Sequence, residues 1–208
     1  MLKTRLSVAM VSLVILTAGA VGWTSYHYLE AATLPGELKR LAAHAELVGH
    51  EFNHHVRSCC ADVLATSGSA AIAGIVRARA ADGVDPESHL PESAWCDDLT
   101  ALFVAELQAK PHYLQMRLIG IADGGREIVR VDRPWTAEPI RIVPRSELQQ
   151  KGNRDYFTAG LARARGDVYV SPINLNQEQG VIQDPPLPVM RAATPIFNAD
   201  GSKFGILI

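Results

Sequence analysis

The chain has 208 residues, with 20 Lys and Arg against 22 Asp and Glu, a formal net charge of −2 and 48% hydrophobic residues. That length holds one ordinary domain beside a short terminal segment, and the mildly acidic balance gives no electrostatic case for nucleic acid. Three cysteines, Cys59, Cys60 and Cys96, are too few for a disulfide scaffold. Neighbouring cysteines pair only with strain, so Cys96 with one of the other two is the better pairing, and buried or free thiols are the simpler expectation.

Between Arg5 and Glu30 there is no Asp, Glu, Lys or Arg. The run Leu6 to Leu29 therefore has the roughly 20 apolar residues that a helix needs to cross a hydrocarbon core of about 30 Å. Lys3 and Arg5 precede it and Trp23, Tyr26 and Tyr28 cluster at its far end, which keeps the N-terminus in the cytoplasm and exports the remainder of the chain. Ala18-Gly19-Ala20 also fits a cleavable signal peptide; both readings export the chain, and continuation through Val21, Gly22 and Trp23 favours the anchor. The organisation expected is a cytoplasmic 1–5, a transmembrane helix 6–29 and one exported domain, 30–208.

Leu34-Pro35-Gly36 is expected to interrupt the helix. From Glu37 a long amphipathic helix continues to about Ala81, with Leu38, Leu41, Ala45, Val48, Phe52, Val56, Val63 and Leu64 on its stripe and loosening at Gly68 and Gly74. Asp82 to Ser93 reads as a loop, with Ser93 capping a second helix from Ala94 to about Ala109. From His112 the period becomes strand-like, with Leu114, Met116 and Leu118 alternating against Gln115 and Arg117. Asp123-Gly124-Gly125 separates that run from Glu127 to Val131, a hairpin signal. Pro134 to Pro139 reads as a loop, Ile140 to Val143 as a short strand, and Asn153 as the cap of a helix from Arg154 to about Ala164. Val168 to Ser171 is a strand, Asn174 to Pro186 is polar without an obvious element, and the segments flanking Asn198-Ala199-Asp200-Gly201 form a second hairpin. The apolar end, Phe204 to Ile208, resembles the middle of a buried strand, so a chain incomplete at its C-terminus is expected.

His50-Glu51-Phe52-Asn53-His54 matches the H-E-x-x-H pattern, in which two histidines one helical turn apart hold zinc and the glutamate acts as base. His50 and His54 are thus candidate metal ligands. A catalytic site also requires a third ligand and a walled cleft, and the motif sits close to the membrane run, so a solvated helix face is the simpler reading. No glycine phosphate loop, nucleophile elbow or kinase signature is present; no cofactor and no enzymatic activity are expected.

The order of anchor, long helix, hairpin, Asn153-Arg154-Asp155-Tyr156-Phe157, Val168-Tyr169-Val170-Ser171-Pro172 and Arg191-Ala192-Ala193-Thr194-Pro195-Ile196-Phe197, with Leu118 to Glu127 before them, resembles the Cache (PAS-like) domain of bacterial extracytoplasmic receptors. The double-Cache type precedes histidine kinases, diguanylate cyclases and chemoreceptors. The resemblance implies an α+β fold, a five-stranded antiparallel sheet with a long N-terminal helix and flanking helices, lodged on the periplasmic side of the inner membrane. It further implies a pocket between the sheet and the Arg154 helix, with Arg117, Tyr156, Tyr169, Ser171 and Arg191 as ligand-binding candidates. A small, anionic ligand or a periplasmic binding protein is the implied partner, and a homodimer the implied assembly. An arginine fixes a carboxylate by two parallel hydrogen bonds while hydroxyls supply orientation. The stripe from Leu38 to Val63 suits helix pairing in that dimer and equally packing on the sheet.

Overall fold

A computed structural model of the chain describes residues 2–134, 139–178 and 180–208, so the middle of the loop expected over Pro134 to Pro139 lies outside the described residues. Contacts divide the chain into two units, Met1–His55 and Val56–Ile208.

The described residues of the first unit are all helical. Helix α1 (Leu2–Ser67) has no boundary at Leu34-Pro35-Gly36, where an interruption is expected. A proline inside a helix costs about 3 kcal/mol and one backbone bond, and the Ala- and Leu-rich turns on both sides propagate helix past that single defect. Arg5–Leu29 is long and apolar enough to cross a membrane, and none of it is buried. Two of its hydroxyls bond within the helix: Thr17 and Thr24 donate to the carbonyls of Leu13 and Ala20 at 3.0 and 2.9 Å, which suits an apolar solvent.

In the second unit α1 ends at Ser67, and the long helix expected to reach Ala81 is broken at Gly68-Ser69. Ser69 caps α2 (Ala70–Ala80), its Oγ accepting the Ile72 N–H at 3.4 Å. Gly74 is no loosening. A Cβ there would lie 2.2 Å from the Trp95 ring, so its hydrogen lets α2 and α3 (Glu92–Ala109) cross closely. Helix α3 starts before the expected Ser93 cap because the loop supplies the partners: the Glu92 N–H donates to Gly83 O at 2.9 Å and Val84 bridges Pro91.

Then come β1 (Gln115–Gly120), a single turn α4 (Ala122–Gly125), β2 (Glu127–Asp132) and β3 (Arg141–Ile142). Asp123 and Gly124 have φ of 55° and 71°, so α4 is the reverse turn of the expected hairpin and only Gly makes such angles free of strain. Helix α5 (Asp155–Leu161) is capped at Arg154 rather than Asn153, since the Arg154 N–H closes a turn onto Lys151 O at 3.0 Å. It ends before Ala164 because a turn comes next, with the Asp167 N–H on Ala164 O at 3.1 Å and Gly166 left-handed. β4 (Tyr169–Val170) leads into a strap of two-residue strands where no element is expected: β5 (Asn174–Leu175) pairs with β8 (Pro188–Val189), and β6 (Gln177–Glu178) with β7 (Val181–Ile182). The chain returns through β9 (Ala192–Phe197) and β10 (Lys203–Leu207), the second expected hairpin.

The antiparallel sheet has the order β3-β2-β1-β10-β9-β4. That is six strands, the short edge β3 adding one to the five implied. Both faces are covered, so alternate residues of each central strand enter different cores. Leu118, Val131 and Leu207 meet Ile72, Ile75, Leu99 and Phe103 of α2 and α3. Ile119, Ala193 and Ile206 meet Tyr156 and Phe157 of α5. Gly160 brings α5 down on that second face: a Cβ there would lie 3.1 Å from Ala193 and 3.3 Å from Ile206.

Candidate functional site

The start of α5, the end of β4 and the approach to β9 converge at one end of the α5 face. Tyr156 is 7% exposed, and the Arg191 guanidinium lies 5.2 Å from its ring centroid, a cation held on an aromatic face. Ser171 and Arg191 are joined by one backbone bond and one bond to the serine hydroxyl. The Ser171 N–H donates to Arg191 O at 2.9 Å, and the Arg191 N–H donates to Ser171 Oγ at 3.0 Å. Tyr169, two residues earlier on β4, packs on the Tyr156 cluster, with Arg163 5.7 Å from its ring. Four of the five expected residues, Tyr156, Tyr169, Ser171 and Arg191, thus share one region.

The strap supplies residues that the sequence did not single out. Arg191 donates to Asn174 Oδ1 at 2.6 Å and to Asn176 Oδ1 at 3.1 Å, and Arg154 donates to Gln177 Oε1 at 3.1 Å. The signal available was the amide-rich composition of 174–177 in a long connection.

Arg117 is on the same face of β1 as Ile119 but has a different setting. Its side chain is 4% exposed and paired with Glu127 at 2.8 Å. Arg130, opposite it on β2, reaches Asp132 at 2.8 Å and Glu127 at 3.8 Å, and the Gln149 N–H donates to Glu127 Oε2 at 3.0 Å. A charge pair this deep is costly to desolvate and stays only when its remaining lone pairs are hydrogen-bonded, as here.

His50 and His54 lie on exposed turns of α1. The His50 side chain is 78% exposed, 3.8 Å from Glu46. Among the described residues no group of three His, Cys, Asp or Glu is placed to hold a metal ion. The cysteines are free thiols; Cys96 lies in the α2–α3 core with Cys59 packed against it, and burial pushes Cys96 up to about 11. A cleft of about 520 Å³ opens on the opposite face from Tyr156, between the α1–α2 corner and the β9–β10 turn. Both arginines at its wall are engaged: Arg77 by Asp85 at 2.8 Å, Arg165 over the Phe197 ring at 4.4 Å.

No protein-family model matches the chain, and no curated relative was found. Solved structures do match. A domain of a protein assigned to the sensory box/GGDEF family of Vibrio parahaemolyticus aligns with a TM-score of 0.64 and 18% identity, over 78% of this chain and 55% of that one. The extracellular domain of a protein assigned as a histidine kinase aligns at 0.63 and 19%, over 78% and 52%. The ligand-binding domain of the Campylobacter jejuni chemoreceptor Tlp3 in complex with L-valine is a looser match, at 0.41 and 14% over 75% and 59%. The chain therefore has the fold of Cache/PAS-like sensory domains, and it spans about half the length of the solved chains it matches.

Proposed function

We propose that this chain is the ligand-sensing and membrane-anchoring part of a bacterial receptor whose output module lies in further sequence. Residues 1–5 are cytoplasmic, 6–29 cross the inner membrane, and 30–208 form a periplasmic Cache-like sensor. A sensor histidine kinase is the parent favoured by the second match, and a diguanylate cyclase by the first. The observation that carries the sensor reading is the convergence of Arg191, Tyr156, Ser171 and Tyr169 at the α5 face, joined to a fold that serves sensing in other chains. An arginine seated on an aromatic ring suits a small anionic metabolite, its carboxylate taken by the guanidinium.

The experiment is a thermal-shift screen of the full chain, recovered from the membrane fraction with residues 1–20 intact, against amino acids and short mono- and dicarboxylates. At least one compound is expected to raise the midpoint, by an amount that grows with its concentration, and Arg191→Ala is expected to remove the rise. Stabilisation that survives Arg191→Ala would exclude this site. A screen with no hit would discard the small-ligand reading and favour a protein partner.

A further inference from the structure

Arg191, over the Tyr156 ring, and Arg154, the cap residue of α5, both bond to a single stretch of chain. Arg191 donates to Asn174 and Asn176, and Arg154 donates to Gln177. Three acceptors thus come from four successive residues, and all three are neutral side-chain amides. The rest of the strap is tied to itself: the Asn176 N–H donates to Leu187 O at 2.8 Å, the Gln183 N–H to Asn176 O at 3.0 Å, and Asn176 Nδ2 to Gln183 Oε1 at 2.9 Å. Little apolar burial holds this stretch down, since Ile173 and Leu175 are 60% and 40% exposed. Its attachment to the site is polar, through cations that a ligand would use.

A guanidinium bonded to an amide oxygen is charged on one side only. Bonded to a carboxylate it is charged on both, and arginine–carboxylate contacts form as two parallel bonds with a full opposite charge behind them. The Asn174 and Asn176 oxygens already occupy both terminal nitrogens of Arg191, in the way the two oxygens of one carboxylate would. We infer that Asn174, Asn176 and Gln177 form a strap that occupies the anion site in the absence of ligand, and that a carboxylate-bearing ligand takes Arg191 from the asparagines and frees 174–177.

This step rests on the proposed sensor function and adds its first conformational change. A ligand can shift a protein only through its different affinity for two states, and here the states differ by who holds Arg191. The strap also weakens apparent affinity by the fraction of time it leaves the site open.

Hydrogen exchange across 173–177, in the full chain in lipid nanodiscs, tests it, with sodium acetate as the probe and sodium chloride at matched ionic strength as control. Acetate, unlike chloride, is expected to speed exchange there. Asn176→Asp places a carboxylate where the amide stands without changing its size; it is expected to slow exchange and to raise the half-effective acetate concentration at least about tenfold. Asn174→Ala with Asn176→Ala is expected to lower that concentration several-fold. The strap is overturned if acetate leaves exchange unchanged or slows it, if Asn176→Asp responds like the parent, or if the double variant needs as much acetate or more. A screening hit abolished by Arg191→Ala, with exchange at 173–177 unmoved, sinks the strap and leaves the sensor standing; a chain that no compound stabilises and acetate does not open loses both.

Discussion

Asp85 is fully buried, yet every lone pair that water would have satisfied has a donor. Arg77 gives it two parallel bonds at 2.8 Å, the Ser88 hydroxyl one at 2.8 Å and the Glu87 N–H one at 3.1 Å. The Arg77 bonds, helped by those from Ser88 and Glu87, outweigh burial and hold its carboxyl well below the usual carboxylate range. With a folded pKa below the unfolded value of about 3.9, the stabilisation is fully present above that value and is lost as pH falls through the folded one. The thermal midpoint is therefore expected to decline between about pH 4 and 2. Asp85→Asn is expected to start lower at neutral pH and to decline less steeply in that window. A variant that falls as steeply as the parent would assign the acid sensitivity to other carboxylates.

At the scale of elements, the last turns of α1 are tied to the start of the sheet by one polar cluster. Tyr113 donates to Asp62 Oδ2 at 2.5 Å and Lys110 reaches the same oxygen at 2.8 Å, while Val63 enters the α2–α3 core. Burial alone would raise the Asp62 carboxyl; the hydrogen bonds from Lys110 and Tyr113 prevail and hold it below its ordinary value. Asp62→Asn is expected to cost about 1–2 kcal/mol in urea unfolding, the scale of partly exposed bonds to a charged group, and a loss below a few tenths would show that the cluster does not secure α1. Neither this tie nor the strap was legible in the sequence, because each joins residues far apart in the chain through side chains whose direction no local pattern fixes. The Asp123-Gly124 and Asn198 to Gly201 hairpins were legible, since there the backbone itself dictates the residues. The α1–α2 break was signalled by Gly68-Ser69 but masked by helix formers on both sides. Of the proposed site, Tyr156, Ser171, Tyr169 and Arg191 are candidates that the resemblance implies, whereas Asn174, Asn176 and Gln177 lay in a stretch whose two-residue strands are too short to leave a period.

For the whole molecule, the stripe of α1 had two readings in sequence, packing on the sheet or pairing with a second copy. Val63 packs, but Leu38, Leu41, Val48 and Phe52 are 59%, 63%, 51% and 46% exposed. With Ala45 these residues recur at alternating steps of three and four, the spacing of a coiled-coil seam. The pairing is proposed on that spacing and exposure. Two heptads are short: burying a large apolar side chain yields about 1.5–3 kcal/mol, and association costs an estimated 4–15 kcal/mol. These residues are only about half exposed at the start, so each gains less than that full amount and free chains at low concentration are expected to stay apart. The proposed membrane anchor, Leu6 to Leu29, would raise the local concentration and so add avidity with no new contact. The full chain is therefore expected to be dimeric in nanodiscs at high protein-to-lipid ratio and to dissociate on dilution into excess detergent. Leu41→Glu with Val48→Glu is expected to give monomers in both settings while leaving the thermal midpoint of the Val56–Ile208 unit unchanged, because exposed sites away from the core change stability by less than about 0.5 kcal/mol. Subunit counting by photobleaching separates the outcomes, and a parent chain monomeric at every lipid ratio would leave the exposed stripe without the partner proposed for it.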